Sequence, residues 1–210
     1  VPALTTFLAA AGEALLALAS PPRCASCDAR VSGNTVFCPP CARSVERAPR
    51  ESDGVFLWGG ALAKAIARFK YEDATHLARP LSELLRHART RDFAPAPTLV
   101  VPVPLHPRRL AERGFNQAAL LARPLARDLG AALALHVLVR TKDTARQAAL
   151  ERSARLVNLE GAFRARRRLD GHHVLLVDDV CTTGATLRAC AGELTRVGAT
   201  VRNLVLAVSL

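Results

Sequence analysis

Residues Val174 to Thr186 read VLLVDDVCTTGAT, and the order of residue types in this stretch decides the fold. Four apolar residues, Val174 to Val177, suit a strand buried on both faces, as in a parallel sheet. The strand delivers two carboxylates, Asp178 and Asp179, at its exit. Thr182, Thr183, Gly184, Ala185 and Thr186 then lead into a helix running to about Val197. This places the turn at the carboxyl end of a strand, where open α/β sheets bind ligands. Amides and threonine hydroxyls at a helix amino terminus favour an anion, and Gly184 lets a ligand approach the backbone closely. The carboxylates do not attract phosphate; when ionised they accept from hydroxyls such as those of a ribose. A phosphate cradle beside hydroxyl acceptors describes a pocket for a ribose 5-phosphate. An ordinary capped strand-turn-helix would not need adjacent aspartates and TTGAT together.

Outward from this segment, the pattern predicts a strand at His173–Val180, a helix at Thr186–Val197 and a last strand at Val201–Val208. Upstream it predicts a strand at Val55–Trp58 and helices at Ala61–Phe69 and Leu77–Ala88; the second either starts near Pro80 or kinks there. Thr98–Pro104, TLVVPVP, is a β-branched run that suits a buried strand ending sharply. Asn116 offers an N-cap for a helix toward Gly130, with a kink expected at Pro124. Leu138–Thr141 and Ala162–Ala165 read as paired strands flanking a long polar loop. Alternating strands and helices predict an α/β fold, with a mostly parallel sheet flanked by helices.

Near the amino terminus, Cys24, Cys27, Cys38 and Cys41 form two C-x2-C pairs separated by ten residues. Each pair can clamp one side of a tetrahedral Zn2+, and the intervening residues allow a short hairpin turning at Ser32, Gly33 and Asn34. Four thiolates with no open ligand position imply a structural site. A redox dithiol would belong beside a βαβ unit, which neither pair has. Glycine often follows the second cysteine of such a knuckle, but Asp28 and Ala42 stand there. Cys181 reads as a small loop residue without a histidine partner, and Cys190 as a packed apolar residue.

The chain of 210 residues carries a formal charge of +11, which favours polyanions or a small substrate with several phosphates. Four thiolates plus one Zn2+ would add −2, leaving about +9. Arg43–Asp53 is polar and reads as a connector. The expected division is a helix at 1–20, with Leu4, Phe7, Leu8, Ala11 and Leu15 near one face, a zinc module at 21–45 and the α/β body at 46–210. No apolar run reaches membrane-spanning length, and no positive charge precedes Arg23 as an export signal requires. A cytoplasmic protein is therefore expected.

The thirteen residues 174–186 resemble the phosphoribosyl-diphosphate signature of type I phosphoribosyltransferases. A wider resemblance runs through PPRCASC (21–27), VPVPLHPRRLAERGFNQAALLARPLARDLG (101–130) and TKDTARQAALERSARLVNLEGAF (141–163). Together these resemble the ComF family of competence-associated proteins. The resemblance implies a type I phosphoribosyltransferase fold behind an amino-terminal zinc ribbon, with phosphoribosyl diphosphate and Mg2+ as ligands. It further implies that Asp178 and Asp179 hold the ribose, and that Thr182, Thr183, Gly184, Ala185 and Thr186 hold the 5-phosphate. His106, Arg108, Arg109 and Arg113 would form the diphosphate loop, and Thr144–Asn158 a mobile hood matching at Gln147, Arg155 and Asn158. Trp58 stands where family members often have tyrosine.

Two functions remain open on the sequence. One is transfer of the phosphoribosyl group to an acceptor nitrogen, with neither the acceptor nor a general base identified. The other is a non-catalytic module that senses phosphoribosyl diphosphate or a nucleotide and contacts single-stranded DNA during competence. With few aromatic residues for base stacking, such DNA contact would be phosphate-driven and salt-sensitive.

Overall fold

The computed structural model describes residues 22–33, 35–89, 93–143, 159 and 161–209, with only the backbone of 87–89. The expected helix at 1–20, Asn34, and the hood residues Gln147, Arg155 and Asn158 lie outside them. In chain order the elements are α1 (Pro39–Ala42), β1 (Gly54–Leu57), α2 (Gly60–Tyr71), α3 (Ala78–Arg89), β2 (Leu99–Pro102), α4 (Pro107–Arg113), α5 (Gln117–Asp128), β3 (Ala132–Leu133), β4 (Leu138–Arg140), β5 (Phe163–Ala165), β6 (His173–Cys181), α6 (Ala185–Arg196) and β7 (Thr200–Val208).

Five strands form one parallel sheet in the order β1-β7-β6-β2-β3, while β4 and β5 pair as an antiparallel hairpin. Consecutive side chains of a strand face opposite sides, so the sheet divides the core in two. Val100, Leu175, Val177, Leu204 and Leu206 pack toward α2, α3 and α5. Val101, Val174, Leu176 and Val205 pack toward α6 and the β4–β5 hairpin. Fully burying one such Leu or Val side chain contributes on the order of 1.5–3 kcal/mol. This double cover explains why β6 reads as an unbroken apolar run.

The connections set the position of the site. From β6 the chain passes through α6 to β7 on one side, and from β2 through α4 and α5 to β3 on the other. The two connections diverge between the neighbouring strands β2 and β6, which opens a crevice at their carboxyl ends. The register Pro102↔Val177 brings both strand ends to one level.

Several elements settle or correct the sequence reading. A 3-10 turn at Thr75–Leu77 precedes α3, and Pro80 is the third residue of that helix. The helix therefore starts near the proline, where an amide has no helical partner to lose. Asn116 caps α5 as expected, its Oδ1 accepting from the Ala118 N–H at 3.0 Å, and Pro124 lies inside the helix. The expected hairpin between the cysteine pairs does not form: among the described residues no strands pair there. A bridge between Arg23 and Arg30 closes the first knuckle instead, and at the second pair Cys38 caps α1 while Cys41 lies within it. Pro39 and Pro40 suit that helix start, where no amide is needed.

The connector is bonded to the body. Arg47 bridges Phe56 antiparallel to β1, and Ser44 Oγ accepts from the Ala61 N–H at 3.0 Å, at the start of α2. Gly60 has a φ of 50°, and a side chain there would strike the Ser44 carbonyl oxygen. Cys24, Ala25, Phe37 and Cys38 belong to the same core cluster as α2. No described helix is long and apolar enough to cross a membrane.

Candidate functional site

β6 carries Asp178 and Asp179 to the crevice, and both are buried, at 8% and 2% exposure. As consecutive strand residues they diverge. Asp179 meets α2, where the Lys70 ammonium lies 2.7 Å from its Oδ2. Among the described residues this ammonium is the partner of the buried oxygen. Asp178 Oδ1 accepts from the Asp179 N–H at 2.9 Å. Burial, reinforced by the neighbouring charge of Asp179, raises the Asp178 carboxyl well above its ordinary range. The sequence reading expects both aspartates as acceptors in their ionised form; in the structure one is ion-paired and the other favours its proton. A protonated carboxyl can donate as well as accept.

Beyond Cys181 the chain turns through Thr182 and Thr183 into α6. Gly184 has a φ of 71°, a left-handed conformation that favours glycine. Thr183 Oγ1 faces the Ala185 N–H at 3.4 Å. Among the described residues the amides of Thr182, Thr183 and Thr186 have no backbone acceptor, while the Gly184 amide faces the Cys181 sulfur. Amides left open at the start of a twelve-residue helix favour an anion. The Arg188 guanidinium reaches back over this turn, 2.7 Å from where a Cβ on Gly184 would stand.

The expected diphosphate residues lie mostly on a helix and not in a loop. His106 precedes α4, Pro107 opens it, and Gly114 ends it at a φ of 77°. His106 Nδ1 faces the Arg108 N–H at 3.4 Å and Asp143 Oδ2 at 3.8 Å. If Nδ1 accepts from the amide it cannot also donate to Asp143. Arg108 reaches the same Asp143 oxygen at 3.9 Å. Among the described residues Asp143 Oδ1 is buried without a hydrogen-bond partner. Arg109 pairs with Glu112, while Arg113 donates to Gln117 Oε1 at 2.6 Å and lies over the Tyr71 ring at 5.3 Å. His106 and Arg108 thus gather at Asp143, and Arg109 and Arg113 turn to other partners. Arg140 on β4 is lowered by burial, against the opposing pull of Cys190, Asp143 and Asp178.

Lys70, Arg140, Asp143 and Arg188 are absent from the sequence-derived site. Lys70 lies 109 positions before Asp179, and no local pattern links them. For Arg188 a signal existed, because it stands one turn after Gly184 on the helix that begins there.

The four amino-terminal thiols form a second cluster, with all sulfurs within 4.8 Å of one another. A tetrahedral zinc with bonds of about 2.3 Å spaces its sulfurs about 3.8 Å apart, so the cluster can hold such an ion. Burial would raise Cys24, but amides of Cys27, Cys38 and Ser26 prevail and lower it to about 6. Burial and the neighbouring thiols push Cys41 to about 12. The thiols therefore resist ionising together without a cation. Asp28, in the position where glycine is usual, has a φ of 63° and pairs with Arg23 and Arg68.

Residues 112–209 match the phosphoribosyl transferase domain family. The DNA utilization protein YhgH of Escherichia coli (strain K12) is 34% identical over 193 residues, covering 84% of this chain and 85% of that protein. Competence protein F of Haemophilus influenzae is 35% identical over 144 residues, covering 65% of this chain and 63% of that protein. The adenine phosphoribosyltransferase of Saccharomyces cerevisiae superposes with a TM-score of 0.45 and 14% identity, covering 81% of this chain and 86% of that one.

The Asp178 environment yields a stability prediction. A carboxyl that holds its proton more tightly folded than unfolded favours the fold at low pH, and this contribution is lost as pH rises through the folded value. Asp178→Asn keeps the acceptor for the Asp179 amide and removes the buried charge. We expect it to stabilise the protein by about 0.5–2 kcal/mol near pH 8, with the gain vanishing near pH 4. Urea unfolding across that range checks this, and a gain that grows toward low pH would contradict it.

Proposed function

The chain belongs to the family of DNA utilization protein YhgH and the ComF competence proteins, and on that basis we propose that it binds phosphoribosyl diphosphate in the crevice between β2 and β6. The observation that carries this reading is the cradle of open amides, beside two buried aspartates, at the divergence of the sheet's connections. In this reading Thr182 to Thr186 receive the 5-phosphate, and Asp178 and Asp179 the ribose hydroxyls. His106 and Arg108, with Arg109 and Arg113 after rearrangement of their present pairs, face the diphosphate. Gln147, Arg155 and Asn158 belong to the segment that would cover it.

Mg2+ fits the donors present, since Asp143 offers hard oxygen ligands, one of them buried without a partner among the described residues, and Asp178 adds another once a cation displaces its proton. Bound with the ligand, it would neutralise the diphosphate as a leaving group. The residues themselves orient the sugar through Asp178 and Asp179 and hold its phosphate on the amides. At the other end, residues 21–45 form a unit in which Cys24, Cys27, Cys38 and Cys41 hold a structural Zn2+, ahead of the phosphoribosyltransferase-like domain at 46–210. The names of the relatives extend the reading to competence and DNA utilization, with incoming single-stranded DNA as the partner of this basic chain.

Titration with phosphoribosyl diphosphate and Mg2+ should give saturable binding that Asp178→Asn with Asp179→Asn weakens; equal affinity in the two proteins would sink the proposed site. Diphosphate release, screened across nucleobases, separates a transferase from a sensor: release with any base favours turnover, and none favours a binding module.

Zinc analysis of protein purified under reducing, metal-replete conditions should find about one equivalent per chain. Cys38→Ser should lower that content, and a wild-type content near zero would overturn the assignment. For single-stranded DNA, affinity should fall steeply with added salt, and a flat response would count against phosphate contact.

A further inference from the structure

We infer that Lys70 is a positioning residue of the proposed ribose site: from within the fold it holds Asp179 as an oriented carboxylate and supplies one positive charge that the acidic pair would otherwise draw from a divalent cation. The inference rests on the ribose reading above and deepens it.

The geometry begins at the strand. Asp178 and Asp179 must face opposite sides of β6, so one lysine cannot serve both equally. The ammonium of Lys70 lies 2.7 Å from Asp179 Oδ2, with side-chain exposures of 18% and 4%. Removing a lysine from water this far is costly unless a carboxylate stands beside it. The flanking residues limit its retreat. Phe69 is fully buried, with its ring 5.6 Å from that of Phe115, and Tyr71 lies under the Arg113 guanidinium. These contacts hold the carboxyl end of α2 against the end of α4 and the segment after it, leaving the intervening lysine beside the strand end.

The pairing also leaves room for a ligand. Among the described residues Lys70 is the partner of Asp179 Oδ2. A carboxylate carries further lone pairs, so its charge is balanced while it can still accept from a ligand's hydroxyls. Lys70 offsets the charge of the Asp179 carboxylate before any metal arrives. The approach of a polyanionic sugar phosphate is then less opposed.

The titratable neighbour of the Lys70–Asp179 pair is Asp178, the preceding residue of β6, which in turn is felt by Cys181 on β6, Arg140 on β4 and Cys190 on α6. Arg140 acts from the Asp178 side of the sheet and does not replace the ammonium at Asp179. Loss of Lys70 should therefore be felt at Asp179 first.

The test has a ligand-free arm and a ligand arm. A double-mutant cycle of Lys70→Met and Asp179→Asn, read by urea unfolding of the ligand-free protein, should show non-additive losses, the second change costing little once the first is made. Titration with phosphoribosyl diphosphate at fixed, saturating Mg2+ should give about tenfold weaker binding in Lys70→Met, with Lys70→Arg restoring most of it. Lys70→Gln substitutes if the methionine variant does not fold. Additive losses, or a folded variant that binds the ligand as the wild type does, overturn the inference. Failure of the wild type to bind the ligand would instead remove the proposed function, and the double-mutant cycle would still decide whether Lys70 holds Asp179.

Discussion

Two consecutive residues of a strand cannot face the same side of a sheet, and at Asp178 and Asp179 that constraint organises the site. Asp178 is turned toward the layer of α6 and the hairpin, where Cys190 and Arg140 are its electrostatic neighbours. Asp179 is turned toward α2 and its lysine. One short sequence thereby places two carboxyls in different environments, one favouring its proton and the other paired. A doubly covered strand is required for this, because on a half-exposed sheet one of the two would be solvated and titrate ordinarily.

The same helix that supplies Lys70 also fastens the cysteine module. Arg68 donates to the carbonyls of Cys24 and Ala25 at 3.4 and 3.1 Å and pairs with Asp28. Residues two apart on a helix point to nearly opposite sides. The carboxyl end of α2 is therefore held by the thiol knuckle on one side and by the strand end on the other. The left-handed Asp28 fits this arrangement: it takes a conformation that favours glycine, and its carboxylate pairs with Arg68 and Arg23. A metal bound by the four thiols would thus brace the helix that carries Lys70.

Legibility from sequence followed the range of the interactions. The strand at β6, the helix after it, the cap at Asn116 and the clustering of four cysteines are consequences of local pattern, and the structure agrees with each. The two-residue β3 has no pattern long enough to read, and exists because the β2 edge aligns it. α4 was hidden by its setting: His106, Pro107 and Gly114 are sound boundary residues, but a seven-residue helix following a proline-rich strand end reads as loop. Lys70, Asp143 and Arg140 join the site only through tertiary packing, which a single sequence does not display.

The net charge illustrates why burial must be known before a cation is assigned a role. Some of the arginine is spent on exposed neighbours, such as Arg168 with Asp170 and Arg109 with Glu112. Pairs of that kind contribute little to stability and are readily screened by salt. Lys70, one of only three lysines, is different because its partner is almost wholly withdrawn from water. The low-dielectric surroundings that make the pair costly also make its charge effective at the strand end, where an anionic ligand would meet it. A surplus of +11 describes the surface this chain presents to polyanions, whereas the chemistry of the crevice turns on a few cations placed where water cannot screen them.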